Sequence, residues 1–293
     1  MRADMIIHRI SHPKIVDWDV AYSNRLAVAD APEWLAQALA RSQAFQVRHA
    51  DRADIDLRYG EGDRQTYDIY HPDGSAKGTL VFVHGGYWRM TSNENYRVFA
   101  SGALAAGWRV VLLEYPLCPA VCVGDISRLI VKAVDHVLAR VPEGPVTLSG
   151  HSAGGQLACY VVTAASGLSQ AARSRIGRVV SLSGVHDLRP LLSTGDLNGV
   201  LQMDEVEALQ FSPVLLRPKG AFDLYCVCGA DELPEFRRLN ELQANMWAGL
   251  GLATESLECE ACNHFTLLDL MTDPDSALTR LLTGRPAADG GAA

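Results

Sequence analysis

Gly150-His151-Ser152-Ala153-Gly154-Gly155 is the stretch on which the reading of this chain turns. It fits the pattern G-x-S-x-G, follows the short apolar run Val146-Thr147-Leu148, and precedes a helix-compatible segment over 156–165. Strand, sharp turn, helix is the context of a nucleophile elbow, where a strained turn presents a serine hydroxyl at the end of a sheet. Glycines flank such a serine because strand and helix approach too closely for a Cβ. Ser152 is therefore the candidate nucleophile.

The segments on either side alternate strand and helix. Upstream, 67–70 reads as a strand ending at the turn His71-Pro72-Asp73-Gly74. A fully apolar strand over 79–83 runs into His84-Gly85-Gly86-Tyr87-Trp88. A helix over 93–106 stops at Gly107; a strand over 109–113 and a helix over 125–140 follow. Downstream, strands are expected over 178–182, 222–228 and 254–258, with an amphipathic helix over 234–250. Continuous apolar strands joined by helices predict an α/β architecture, a mostly parallel central sheet covered by helices on both faces. Residues 1–283 are read as a single domain. Within it, 1–55 holds helices over 17–29 and 32–42, with Pro32 at a first helical position, and reads as a small N-terminal lid segment. The stretch 188–218 reads as an insertion with a short helix over 204–210, and the Gly/Ala/Pro-rich 284–293 as a disordered tail.

A neutral serine hydroxyl is a weak nucleophile and needs a base. Of the nine histidines, His264 lies in a loop after the last strand. An acid between Ser152 and His264 completes the order serine, carboxylate, histidine. Asp231 is the expected acid, because it lies just past a strand end, where open α/β sheets build their sites. It would hold the imidazole tautomer and stabilise the imidazolium. Glu232 is its neighbour, and Asp187 follows another strand end. His151, inside the elbow, is read as structural.

The paired glycines after the strand at 79–83 let backbone N–H groups face the site, where donors aimed at a developing oxyanion are worth about 3–4 kcal/mol each. The expected oxyanion donors lie within Gly85, Gly86 and Tyr87, together with Ala153. Trp88 walls the pocket or packs in the core. Cys259-x-x-Cys262 beside His264 has a spacing seen in zinc and redox sites, but the alternate Cys226 and Cys228 of a strand read as small core residues. No phosphate-loop pattern is present. Tyr115-x-x-x-Pro119 is read as fixing the loop beside the oxyanion turn.

Taken together these residues resemble the α/β-hydrolase superfamily, in its hormone-sensitive-lipase-like and carboxylesterase branch. Within it the sequence looks most like the kynurenine formamidase (arylformamidase) group, which shows His-Gly-Gly-x-Trp where typical esterases show His-Gly-Gly-Gly. The likeness extends through Tyr59-Gly60, Tyr67-Asp68-Ile69-Tyr70, Ser183-Gly184-Val185-His186-Asp187-Leu188, Gly229-Ala230-Asp231-Glu232 with Glu235-Phe236, and Asn263-His264-Phe265, with a similar aromatic segment around Tyr22. It implies an α/β-hydrolase fold, no metal and no cofactor, and substrate contacts from Trp88, Tyr22 and His186. His186 stands where that group shows an aromatic such as tyrosine.

Composition bounds the partners. The chain has 293 residues, 48% hydrophobic and 20% charged, with a net charge of −8. It shows no basic stripe or tail, which argues against nucleic acid and anionic membranes. The first ten residues lack a secretory pattern, and no apolar run approaches the roughly 18 residues of a membrane span. A cytoplasmic location is expected, with the seven cysteines as reduced thiols. A homodimer is compatible with the sequence. The expected function is a serine hydrolase acting on a small amide or ester through an acyl-enzyme, N-formyl-L-kynurenine being the favoured substrate. A short-chain carboxylesterase, or an amidase for another small N-acyl compound, uses the same residues. A non-catalytic binding protein on this fold would lack one of them.

Overall fold

The apolar strand runs alternate their side chains between two cores. The computed structural model describes residues 14–285. In it Val81, Val83, Val111 and Leu113 join one hydrophobic cluster, and Leu80, Phe82, Val110 and Leu112 join the other. That period-two division puts apolar residues on both faces of the same strands, so both faces must be covered by helices.

In chain order the elements begin with helices α1 (Trp18–Tyr22), α2 (Asn24–Ala27) and α3 (Ala31–Arg48), then strands β1 (Ala53–Arg58), β2 (Thr66–Tyr70) and β3 (Thr79–Val83). A 3₁₀ helix (Asn93–Ala100) leads into α4 (Ser101–Ala105), followed by β4 (Arg109–Leu113), α5 (Val123–Leu138), β5 (Val146–His151), α6 (Ala153–Val161) and α7 (Gln170–Arg173). Then come β6 (Ile176–Leu182), α8 (Gly195–Leu201), α9 (Glu205–Phe211), β7 (Asp223–Gly229), α10 (Pro234–Trp247), β8 (Thr254–Cys259) and α11 (Ala277–Leu282). The sheet order is β1-β2-β4-β3-β5-β6-β7-β8. β2 pairs antiparallel with β1 and β4, and every other pair is parallel. The chain therefore lays β4 on one side of β3 and β5 on the other. Such a reversal opens a crevice at the carboxyl ends of the strands.

Three details differ from the sequence reading. β1 is an additional strand, whose residues alternate between half-buried and exposed, as befits a polar edge strand. The helix expected over 17–29 is two short helices, because the chain turns at Ser23 between a buried Tyr22 and a buried Asn24. The helix expected over 93–106 begins as the 3₁₀ segment, capped by Ser92 and Asn95. Residues 188–218 hold α8, α9 and flanking 3₁₀ turns, and α9 is tied to α5 by the Gly124 amide donating to Glu207 Oε1 at 2.7 Å. The secretory reading of the first ten residues lies outside the described residues, as does the expected tail beyond residue 285. Among the described residues no helix is long and apolar enough to cross a membrane.

Candidate active site

β5 delivers Gly150 and His151 to the crevice, and α6 starts at Ala153. Ser152 between them has φ +56° and ψ −117°. A non-glycine residue at positive φ costs of order 1–3 kcal/mol and persists only where its surroundings impose it. Here the Ser152 amide donates to the Leu182 carbonyl at 2.7 Å. A Cβ on Gly154 would lie 2.1 Å from the Val83 carbonyl oxygen, so the first turn of α6 packs backbone to backbone on β3.

His264 stands after β8 and shares a small cavity with Ser152. Its Nδ1 lies 2.8 Å from Glu232 Oε2. A carboxylate only accepts, so Nδ1 carries the proton and a neutral ring leaves Nε2 as a lone pair. Glu232 is held in turn. Its Oε1 accepts from the Gly229 amide at 2.7 Å and from the Ser183 hydroxyl at 2.5 Å. The ring of Phe236 meets His264 edge-on, with centroids 4.8 Å apart.

This corrects the expected acid. Asp231 is exposed, and its amide, not its carboxylate, reaches across, donating to the Cys262 carbonyl at 3.0 Å. The Glu232 amide bonds back to the Gly229 carbonyl at 3.2 Å, a tight turn that points side chain 231 outward and side chain 232 under the strand end. The sequence carried both carboxylates in adjacent positions, and the turn chose between them. Asp187 pairs with Arg189 instead.

The oxyanion loop is a run of left-handed residues: Gly86 at φ +115°, Tyr87 at +53° and Trp88 at +56°. Gly86 is required there, since an added Cβ would sit 2.2 Å from the Met90 carbonyl oxygen. Gly86 and Tyr87 line the cavity beside Ser152, and among the described residues their amides have no acceptor within the protein. Gly85 does not line it; its carbonyl receives the Thr91 hydroxyl at 2.6 Å. Ala153 opens α6 next to Ser152, so its amide is one that an α-helix leaves without an internal partner.

Tyr115, read in the sequence as fixing the adjoining loop, holds this one together with Glu114 and Tyr96, which the sequence did not single out. The Tyr115 hydroxyl donates to the His84 carbonyl at 2.9 Å and its ring stacks on His84 with centroids 4.1 Å apart. Glu114 accepts from the Asn93 amide at 2.8 Å, from its ion pair with Arg64 at 2.6 Å, and from His84 at 3.3 Å. Burial pushes the Glu114 carboxyl up, but His84, Arg64 and the Asn93 amide outweigh it and hold it below its ordinary value. His151 is more than filler. Its Nε2 faces the His264 carbonyl at 2.9 Å and its Nδ1 the Tyr96 hydroxyl at 3.4 Å, so it ties Tyr96 to the backbone of His264. Burial, then the neighbouring His264, holds its pKa well below the ordinary histidine value, so the ring is neutral. Only long-range contacts reveal these roles; no local pattern marks Glu114 or Tyr96.

Two cavities meet at the site. The smaller, about 50 Å³, is bounded by Ser152, His264, Tyr87, Trp34, Phe99 and Leu268 among others. The larger, about 460 Å³, lies beside it between α1, α2 and α8, and shares Arg25, Tyr87 and Met90 with the first. Tyr22 lines the larger one, while its hydroxyl donates to Glu235 at 2.8 Å. Trp88 and His186 line neither. Trp88 is fully buried and its indole N–H donates to Gln156 Oε1 at 3.0 Å. His186 is buried behind α6, with Nε2 3.0 Å from the Ser181 hydroxyl, and burial pushes its pKa down to about 3. Expected as substrate contacts, both pack the scaffold. Among the described residues no group of three or more His, Cys, Asp and Glu side chains is arranged to hold a metal ion.

Comparison with known proteins agrees with this geometry. A family model for the α/β-hydrolase fold matches residues 80–208. A chain from Silicibacter sp. TM1040, proposed to be a thioesterase, superposes with a TM-score of 0.84 at 33% identity, covering 90% of this chain and 98% of that one. The kynurenine formamidase of Danio rerio is 26% identical over 89% of this chain and 91% of its own length. That of Salmo salar is 27% identical over the same shares of the two chains. This chain belongs to the α/β-hydrolase family and is an enzyme of that class.

Proposed function

We propose that this enzyme is an arylformamidase that hydrolyses N-formyl-L-kynurenine to L-kynurenine and formate. The observation that carries the reading is the inequality of the two cavities. About 50 Å³ beside Ser152 holds no more than a few water molecules' volume, which suits a formyl group and crowds a longer acyl chain. The neighbouring 460 Å³ accommodates an aromatic leaving group. The kynurenine formamidases of two fish, similar to this chain over about nine-tenths of its length, support the same reading.

In this mechanism Ser152 Oγ attacks the formyl carbon while His264 Nε2 takes the hydroxyl proton. The negative charge that develops on the carbonyl oxygen is met by the amides of Gly86, Tyr87 and Ala153. Glu232, fixed by Gly229 and Ser183, keeps the Nδ1 proton in place and stabilises the imidazolium. The imidazolium gives its proton to the departing amine as the C–N bond breaks. Water, deprotonated by His264, then releases formate from the seryl ester. A cytoplasmic location belongs to the same proposal and is supported by seven free cysteines.

The likeness to the TM1040 chain favours a second reading, thioester hydrolysis with a short acyl group in the same small cavity. A paired assay separates them: kcat/KM on N-formyl-L-kynurenine, on acetyl and butyryl thioesters, and on p-nitrophenyl acetate and butyrate, with Ser152→Ala as control. A clear preference for the formamide, abolished in the variant, upholds the formamidase. Preference for a thioester or a butyrate overturns it.

A further inference from the structure

Tyr87 couples the oxyanion loop to the N-terminal segment. Its hydroxyl donates to the Tyr22 carbonyl at 2.6 Å and accepts from the amide and the Nδ2 of Asn24, both at 3.3 Å. One donor and two acceptor positions are all that a phenol has, so the hydroxyl is saturated and the turn joining α1 to α2 is pinned beside Ser152. The residue after Asn24 is Arg25, and it lines both cavities.

The other charges around the larger cavity are already engaged. Arg89 Nη2 lies 2.6 Å from Asp196 Oδ2. Asp19 accepts from the amides of Gly195 and Asp196, both at 3.0 Å. Among the described residues Arg25 has neither an ion pair nor a side-chain hydrogen bond. A guanidinium left uncommitted where an acyl cavity opens into a leaving-group cavity is suited to a planar anion, which it can hold with two parallel N–H donors.

We propose that Arg25 is a specificity residue that recognises a carboxylate on the leaving group. The substrate class is then acylated aromatic amines or phenols that carry a carboxylate away from the scissile bond. This rests on the reading of Ser152 and the small cavity as the acyl site. Tyr87 places Arg25 at a set distance from the nucleophile, so that pairing with the carboxylate also sets the depth of the formyl group.

The test uses three matched pairs that differ by one carboxylate: N-formyl-L-kynurenine against N-formylkynuramine, 4-acetoxyphenylacetate against p-tolyl acetate, and, for binding alone, L-kynurenine against kynuramine by thermal shift. The native enzyme should favour the carboxylate member of each pair by about tenfold at low salt, as expected of a partly exposed charge-assisted bond. Arg25→Gln should collapse that ratio to near one, mainly through KM, and Arg25→Lys should restore part of it. An equal ratio in native and Arg25→Gln proteins, both folded by thermal melt, overturns the proposal. If neither formamide is turned over, the formamidase reading fails, while the ester and binding pairs still decide the role of Arg25.

Discussion

Glu232 Oε2 and His264 Nδ1 lie 2.8 Å apart with both side chains buried, while Asp231, one residue away in the chain, faces solvent. In the proposed mechanism this pair gives the orienting role to a glutamate. Glu232→Gln should lower kcat on p-nitrophenyl acetate on the order of 10⁴-fold, because an amide can no longer enforce the tautomer that leaves Nε2 free. Asp231→Asn should stay within about threefold of the native rate, as a surface change outside the network. The reverse ranking, measured by steady-state kinetics on the two variants, would return the acid role to Asp231.

Gly154 and Gly199 should respond oppositely to alanine. A Cβ at Gly154 meets the Val83 carbonyl oxygen at 2.1 Å, whereas Gly199, exposed within α8, has nothing within 4 Å. Gly154→Ala should cost upwards of about 2 kcal/mol and remove activity, by forcing α6 off β3. Gly199→Ala should be neutral or stabilise by up to about 1 kcal/mol, since alanine loses less entropy in a helix. Urea unfolding with activity recovery checks both.

His186 predicts acid lability. Burial holds its pKa near 3, whereas in an unfolded chain it returns to about 6.5. Between those values the unfolded state binds the extra proton, so stability falls as pH drops below about 6.5, by up to roughly 1.4 kcal/mol per pH unit for this one group. Above 6.5 the contribution is constant. His186→Gln should flatten the loss between pH 6.5 and 4.5, read from urea midpoints. His151, held neutral by burial and His264, adds a slope in the same direction that the variant keeps.

Cys259 should be a slow thiol. Burial, with Cys262 and Glu232 nearby, raises its pKa to about 11. At pH 7.5 its thiolate fraction is then at least about a hundredfold below that of an ordinary cysteine. Iodoacetamide labelling followed by peptide mass spectrometry should show correspondingly slow modification. Rapid labelling at that pH would revive a redox reading of Cys259-x-x-Cys262.

Much of the architecture was legible in the chain because it is local. Runs such as Leu80-Val81-Phe82-Val83 are apolar at every position, and only a strand buried on both faces has use for that. The edge strand β1 was missed although Ala53, Ile55 and Leu57 alternate with Asp54, Asp56 and Arg58 in the period of a half-buried strand. Ser152, His264 and the two glycines after His84 stand in short patterns whose spacing fixes their position at strand ends. Trp88 and His186 sit in equally suggestive patterns, yet one packs on Gln156 and the other behind α6.

The sequence by itself determined the sheet and set Ser152, His264 and the glycine turn after His84 at strand ends, because strand period and glycine backbone freedom act over a few residues. Tertiary structure alone decided that Glu232 and not Asp231 meets His264, since a single tight turn at Gly229 reverses which neighbour points inward. It alone set Glu114 against His84 and Tyr96 against His151, and put Arg25 at the junction of two cavities. Those relationships join residues tens to hundreds of positions apart. They follow from how helices and loops close over the sheet, a choice made by packing across the whole core.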